Sequence, residues 1–353
     1  MNSPMDENEV ILGVDTHLDT HVGVLINTNG NLLGCLAVTT DTSGYLKLVT
    51  WANSFGMLKR AGVEGTGTYG AGLARVLRDH GIEVLEVNRP DRSKRRLQGK
   101  SDPTDAESAA RSVLSGNATA IAKTQSGVAE AMRVVSVARR SAVRAKTQAI
   151  NQLRALLVSA PQDIRERLWK TKPADCAKGC ARLRSRSATE FLNILTTSLC
   201  LLGKRWLALA EEVEKLDAIL ENLNRQHARR LREQFGVGPQ TAAVLLSTAG
   251  DNPERLKSEA ALAALCGVSP LPASSGKTVR HRLNRGGNRS ANNALWTIAM
   301  VRMRGDPKTQ SYVARRSAEG LSSKEIQRCL KRYIVRELYP LILADLADSA
   351  RSC

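Results

Sequence analysis

The first forty residues constrain the fold most. "VILGVDTH" is an apolar run that carries Asp15 near its end, and "HVGVLINTNGNLLGCLAVTT" is a pair of apolar stretches divided at "TNGN". An Asn-Gly turn between two strand-like runs specifies a hairpin, because residues tolerant of positive φ match the twist of the flanking strands across so short a connection. Three antiparallel strands in a meander therefore open the chain, and later segments must cover the faces of their sheet. Those segments alternate in pattern. "GYLKLVTWANSFG" has helical apolar spacing, "RAGVEGTG" reads as a short buried strand, and "AGLARVLRDHG" as a helix stopped by Gly81. "IEVLEVN" is a further strand, and "TDAESAARSVLSG" a helix stopped by Gly116.

A meander followed by alternating β and α units describes a ribonuclease-H-like layout, predicted for residues 1–124. Over 125–230 the pattern changes to long helices. Val143, Ile150, Leu153 and Leu157 share one face of the first. In the second, Leu202, Trp206, Leu209, Val213, Leu216, Leu220, Leu223 and His227 keep the four-three spacing of a coiled-coil seam, which suits an oligomerisation or bracing element. The proline-broken, Arg- and Lys-rich stretch between them reads as a basic loop or short helices facing nucleic acid. Residues 231–353 are predicted to form a small, mostly helical domain with a Gly- and Ser-rich basic loop. The expected class is thus α/β plus all-α.

Lys and Arg outnumber Asp and Glu by 52 to 34, a formal net charge of +18. That excess calls for a polyanionic partner, because every neutralised phosphate releases a condensed counterion. The basic residues are spread over three regions with no amphipathic anchor, which favours nucleic acid over a membrane surface. No apolar stretch is long enough to span a bilayer, and the polar start "MNSPMDENEV" is unlike a signal peptide, so a cytoplasmic location is expected. The seven cysteines are scattered through mostly apolar segments, as in a reducing compartment. Cys176 and Cys180 are close, but no second Cys or His pair stands near them to complete a zinc site.

Four carboxylates are the first candidates for chemistry. Asp15 ends the first strand, where it suits either a turn cap or the first ligand of a catalytic Mg²⁺. Glu64 ends a buried strand among small residues that would let a phosphate backbone approach. Asp102 and Asp105 lie one helical turn apart, with Asp102 before Pro103 fitting a helix cap as well as a ligand. As a set, four carboxylates in a strongly basic chain make sense if metal ions offset their repulsion. The preceding run "RPDRSKRR", with Arg92, Lys94, Arg95 and Arg96, and then Lys100, reads as a basic approach for the phosphate backbone. His17 and His21 flank a strand end where their spacing does not converge on a metal, and are expected to line the site or the surface.

A second constellation is "PASSGKTVRHRLNRGGNRS". Ser274 and Ser275 precede Gly276 in a loop expected to be flexible, followed by Lys277, Arg280, His281, Arg282, Arg285 and Arg289. A serine there can attack phosphorus if its proton is removed and cations meet the developing charge, or can merely donate hydrogen bonds to phosphate. "FGVGPQTAAVLL" is similar to a helix-hairpin-helix turn, in which Gly236 and Gly238 present backbone N–H groups to a phosphate at the next helix start.

The stretches "GVDTHLDTHVGV", "AGVEGTGTYGAGLARVLRDHG", "GKSDPTDAESAAR" and "ALCGVSPLPASSGKTVRHRLNRGGNRSANNAL" together resemble the IS110 family of insertion-sequence transposases over nearly the whole chain. The resemblance implies a RuvC-like DEDD domain whose Mg²⁺ ligands match Asp15, Glu64, Asp102 and Asp105. It also implies a coiled-coil spacer and a C-terminal transposase domain whose nucleophilic serine matches Ser275. It implies in addition a structured noncoding bridge RNA that pairs with donor and target DNA, and a dimer-to-tetramer assembly with composite sites. Rival readings are a RuvC-like nuclease that activates water, an actin-like ATPase, for which no second phosphate loop is found, and a non-catalytic nucleic-acid-binding protein.

Overall fold

The computed structural model describes residues 8–87, 101–184, 189–275 and 281–351. They form two compact units, Met1–Gln125 and Ser126–Cys353.

The first unit is a mixed α/β domain. Strands β1 (Glu9–Thr16), β2 (Thr20–Asn27) and β3 (Leu32–Thr39) form the expected antiparallel meander. Its turn is closed by the Asn27 carboxamide, which accepts from the backbone N–H groups of Asn29 and Asn31, with Gly30 at φ +81°. Then come α1 (Thr42–Asn53), β4 (Met57–Glu64), α2 (Ala71–Asp79), β5 (Glu83–Val87), α3 (Asp102–Leu114) and a short β6 (Ala120–Ile121) that the sequence pattern does not reveal. The sheet order is β3-β2-β1-β4-β5-β6, with β1, β4 and β5 parallel to one another.

Strand β1 is buried along its whole length, as a central strand covered on both faces must be. Alternation divides it. Val10, Leu12 and Val14 pack with Leu48 of α1 and Leu73 and Leu77 of α2, whereas Ile11 packs with Ala106, Ala110 and Val113 of α3.

Among the described residues, the second unit is helical apart from one short ribbon. Helices α4 (Val128–Val158) and α7 (Glu190–His227) pack along each other. The predicted seam on α7 is therefore covered by a helix of the same chain: Val213 and Leu220 are buried, Lys146 of α4 lies 5.7 Å from the Trp206 ring centroid, and Arg139 pairs with Asp217. The segment between them forms two short helices, α5 (Gln162–Leu168) and α6 (Pro173–Ala181). Gly203 lets α6 approach, since a Cβ there would lie 2.7 Å from the Ala177 carbonyl oxygen. Cys176 and Cys180 are buried in this core, and burial beside Cys176 pushes the Cys180 thiol up to about 12.

A second core gathers Ala129 and Met132 of α4 and Leu220 of α7 with α8 (Arg229–Arg232), α9 (Pro239–Ala249), α10 (Glu259–Leu265), α11 (Arg289–Gly305) and the last helix. Strands β7 (Leu271–Pro272) and β8 (His281–Arg282) pair in an antiparallel ribbon where a flexible loop is expected from the sequence. Helices α12 (Pro307–Ala318) and α13 (Ser323–Arg351) complete the unit. Among the described residues, no helix is long and apolar enough to cross a membrane.

Candidate metal centre and serine loop

Two glycines place the first site. A Cβ on Gly13 would lie 2.0 Å from the Ala106 carbonyl oxygen, and one on Gly62 would lie 2.7 Å from a Val113 methyl, so both strands press directly on α3. Two residues further on, period-two alternation turns Asp15 and Glu64 to that same face of the sheet. Strands β1 and β4 pair in parallel as far as Val14 and Val63, so the two carboxylates end adjacent strands. The smallness of Gly62 thus serves helix packing.

Helix α3 delivers the other two carboxylates. Its N-cap is Ser101, and Asp102 is the first helical residue instead of the cap read from the sequence. Asp105, one turn on, is 2% exposed. Carboxylates in the first turn are favoured by the helix dipole, which lessens the cost of gathering them.

His17 joins this group. Its Nε2 lies 3.2 Å from Asp15 Oδ2 and 3.4 Å from Asp102 Oδ1, and one ligand atom from each of the three residues lies within 4.8 Å of the others. Burial pushes the Asp15 carboxyl above its usual range; the His17 imidazole opposes that shift, and the charges of Asp102 and Asp105 reinforce it. Glu64 is outside the three-residue cluster. It lines a 310 Å³ cavity with Thr16, Gly65, Thr68, Tyr69 and Glu86, and its backbone carbonyl accepts from the Thr16 hydroxyl at 3.0 Å. His21 is fully buried and stacked on Tyr45 at 5.6 Å, so it does not line the surface.

These residues fit a divalent cation. Asp15 Oδ2 and His17 Nε2 are buried atoms that meet no hydrogen-bond geometry and face each other at 3.2 Å beside Asp102, which gathers three donor atoms in one carboxylate-rich space. Carboxylate oxygens suit a hard cation, and one imidazole nitrogen extends the choice to Mn²⁺.

The second unit carries the serine segment. Ser274 and Ser275 follow β7 and are exposed, as are Arg282, Arg285 and Arg289. Lys277 and Arg280 lie outside the described residues, as do Arg92, Lys94, Arg95, Arg96 and Lys100. The turn that follows α10, upstream of this loop, is held by Asn292, a residue that sequence reasoning missed. Its amide donates to the carbonyls of Cys266 and Gly267 at 3.1 and 2.9 Å, and Lys331 donates to its oxygen at 2.8 Å. Its only sequence signal is a pair of asparagines inside an apolar helix. The Gly236 turn has φ +85° and is held by Arg302, which donates to the Phe235 carbonyl at 2.9 Å and forms a two-bond pair with Glu337. Gly238 caps α9 with open space beside it.

Residues 12–160 match a family model described as "Transposase", that of the DEDD domain of IS110 elements, and residues 228–314 match "Transposase IS116/IS110/IS902 family". The chain carries IS110-family transposase domains. The "Insertion element IS110 uncharacterized 43.6 kDa protein" of Streptomyces coelicolor is 32% identical over 157 residues, 44% of this chain and 38% of the relative. The "Insertion element IS900 uncharacterized 42 kDa protein" of Mycobacterium paratuberculosis is 26% identical over 152 residues, 42% of this chain and 38% of the relative. The chain thus matches well under half the length of these relatives. The first IS110-family domain contains the whole Asp15, His17 and Asp102 cluster, and the second contains Ser275 and Asn292.

Proposed function

We propose that the chain is an insertion-sequence recombinase acting on donor and target DNA in the bacterial cytoplasm, with a RuvC-like, ribonuclease-H-like first domain (1–124), a helical spacer (125–230) and a serine-bearing transposase domain (231–353). The observation that carries this reading is the convergence of Asp15, His17 and Asp102 at the start of α3 inside a transposase domain. Asp15, Glu64, Asp102 and Asp105 would hold Mg²⁺, with His17 beside them. When bound, Mg²⁺ offsets charge on phosphate oxygens.

Ser275 is the nucleophile of this reading. Its Oγ bonds to phosphorus as its proton leaves, the P–O bond to one deoxyribose breaks, and the freed sugar hydroxyl takes a proton. Reversal with a second strand's hydroxyl rejoins the DNA. Arg282, Arg285 and Arg289, together with Lys277 and Arg280, meet the phosphate charge. Gly236 and Gly238, with Arg92, Lys94, Arg95, Arg96 and Lys100, hold the backbone without reading bases. Delegating sequence choice to a structured bridge RNA suits such backbone contacts, and a dimer-to-tetramer assembly would combine the two domains of different subunits.

The test is a suicide DNA substrate that traps a protein–DNA adduct. An adduct lost in Ser275→Ala and kept in Ser274→Ala is expected. Cleavage without an adduct in the unsubstituted protein would instead favour water as the nucleophile.

A further inference from the structure

The helical unit holds an 860 Å³ cleft walled by β8, residues 267–270, α12 and α13. Seven Arg and Lys side chains line it against one acid, Glu325. Like charges gathered round one cavity repel, and folding gains nothing from placing them together. Some are neutralised, since Arg316 pairs with Glu319 and Arg332 with Glu259. The rest share those acids or pair loosely: Arg315 and Arg336 lie 3.9 Å from the same Glu319 and Glu259, Arg328 lies 3.9 Å from Glu325, and Arg282 is exposed, so cations outnumber the acids that serve them.

Aromatic rings share the same wall. Tyr312 and Tyr333 meet edge to face at 5.7 Å, and Tyr333 is 53% exposed, in a chain with only 3% aromatic residues. Cations supply contacts for a phosphate backbone, and an exposed ring beside them offers a face on which a flat apolar group can stack. A duplex keeps its base faces stacked inside, whereas a single strand offers phosphates and free base faces together. The volume lies within the roughly 300–1,000 Å³ that encloses compact organic ligands.

We propose that this cleft binds single-stranded nucleic acid, with Arg282, Arg315, Arg328 and Arg336 on successive phosphates and a base stacked on Tyr333. His281 and Arg282 line the cleft and pair with the β7 strand that leads to Ser275, so the strand lies beside the serine segment. The inference rests on the nucleic-acid reading of the chain, but on neither the metal centre nor the chemistry of Ser275.

The experiment uses the full chain and a fluorescent oligothymidylate, free or annealed to its complement, in low-salt buffer without divalent cations, so that a failed recombinase reading does not affect it. Tyr333→Ala is expected to weaken single-strand binding roughly 5- to 100-fold, with duplex binding unchanged and Tyr333→Phe close to wild type. Arg336→Gln should reduce the salt slope for the single strand by about 0.7. A bromodeoxyuridine-substituted strand should photocrosslink to the peptide bearing Tyr333, a readout that holds even if the alanine variant misfolds. Equal weakening of both DNA forms, or of neither, overturns the proposal. So does a crosslink confined to other peptides, or displacement by thymidine monophosphate or polyglutamate as effective as by the oligonucleotide.

Discussion

Replacing Gly13 with alanine should disturb the candidate metal centre without touching any of its side chains. The added Cβ would sit 2.0 Å from the Ala106 carbonyl oxygen and 2.4 Å from the Ala110 nitrogen. Both are backbone atoms of α3, so no side-chain rotation relieves the clash. The helix must retreat by about 1 Å to restore even a 3.0 Å contact. Overpacking of this kind costs about 1–3 kcal/mol, and here the retreat also loosens Ile11 against Val113. A loss of about 2 kcal/mol raises the opening equilibrium of α3 roughly 30-fold, because each 1.4 kcal/mol is tenfold. Hydrogen exchange over residues 102–114 reads that change locally, which matters in a chain of two units whose global melting need not be two-state. Asp102 and Asp105 ride on α3, so Mn²⁺ affinity measured by calorimetry should fall with the same substitution. Gly238→Ala, with nothing within 4 Å, is the neutral control. Unchanged exchange and unchanged Mn²⁺ affinity in Gly13→Ala would refute the claim that this glycine sets the distance between sheet and helix.

Asp102→Asn should abolish DNA cleavage while leaving DNA binding largely intact, as gel shift and cleavage assays on the same preparation would show. Arg302→Ala removes a pair with Glu337 and the bond to the Phe235 carbonyl from a side chain 10% exposed, and should cost about 3 kcal/mol of stability in urea unfolding; a loss under about 0.5 kcal/mol would contradict the structural role assigned to it. Burial, reinforced by Arg328, lowers the Lys331 amine below its ordinary 10.5, so the unfolded chain holds that proton more tightly. Stability should therefore rise with pH between the lowered value and 10.5, and the rise should be smaller in Lys331→Met when urea midpoints are compared across that window.

Much of the first unit was legible in the amino-acid order. Asn-Gly at a hairpin, alternation in β1 and stop glycines after α2 and α3 are local signals, and local signals report strand, turn and helix directly. The carboxylates at strand ends and at the start of α3 were legible for the same reason. The seam on α7 was legible as a pattern but not as a contact, because four-three spacing announces a helical partner without saying that α4 of the same chain supplies it. His17 is the clearest case of what stayed hidden. Its proximity to Asp15 is local, yet its role depends on Asp102, and no periodicity links residues so far apart.

The sequence by itself determined the element types, the placement of four acids at element ends and a charge that calls for a polyanion. Tertiary structure alone decided that Gly13 and Gly62 are contact surfaces for α3, that His17 stands between two carboxylates, and that Asn292 ties α11 to the turn at Cys266 and Gly267. It also brought β8, α12 and α13 together around a cationic cleft. Periodicity records which side of an element is apolar, but which elements meet is settled only when the whole chain closes its backbone hydrogen bonds and packs its apolar faces at once.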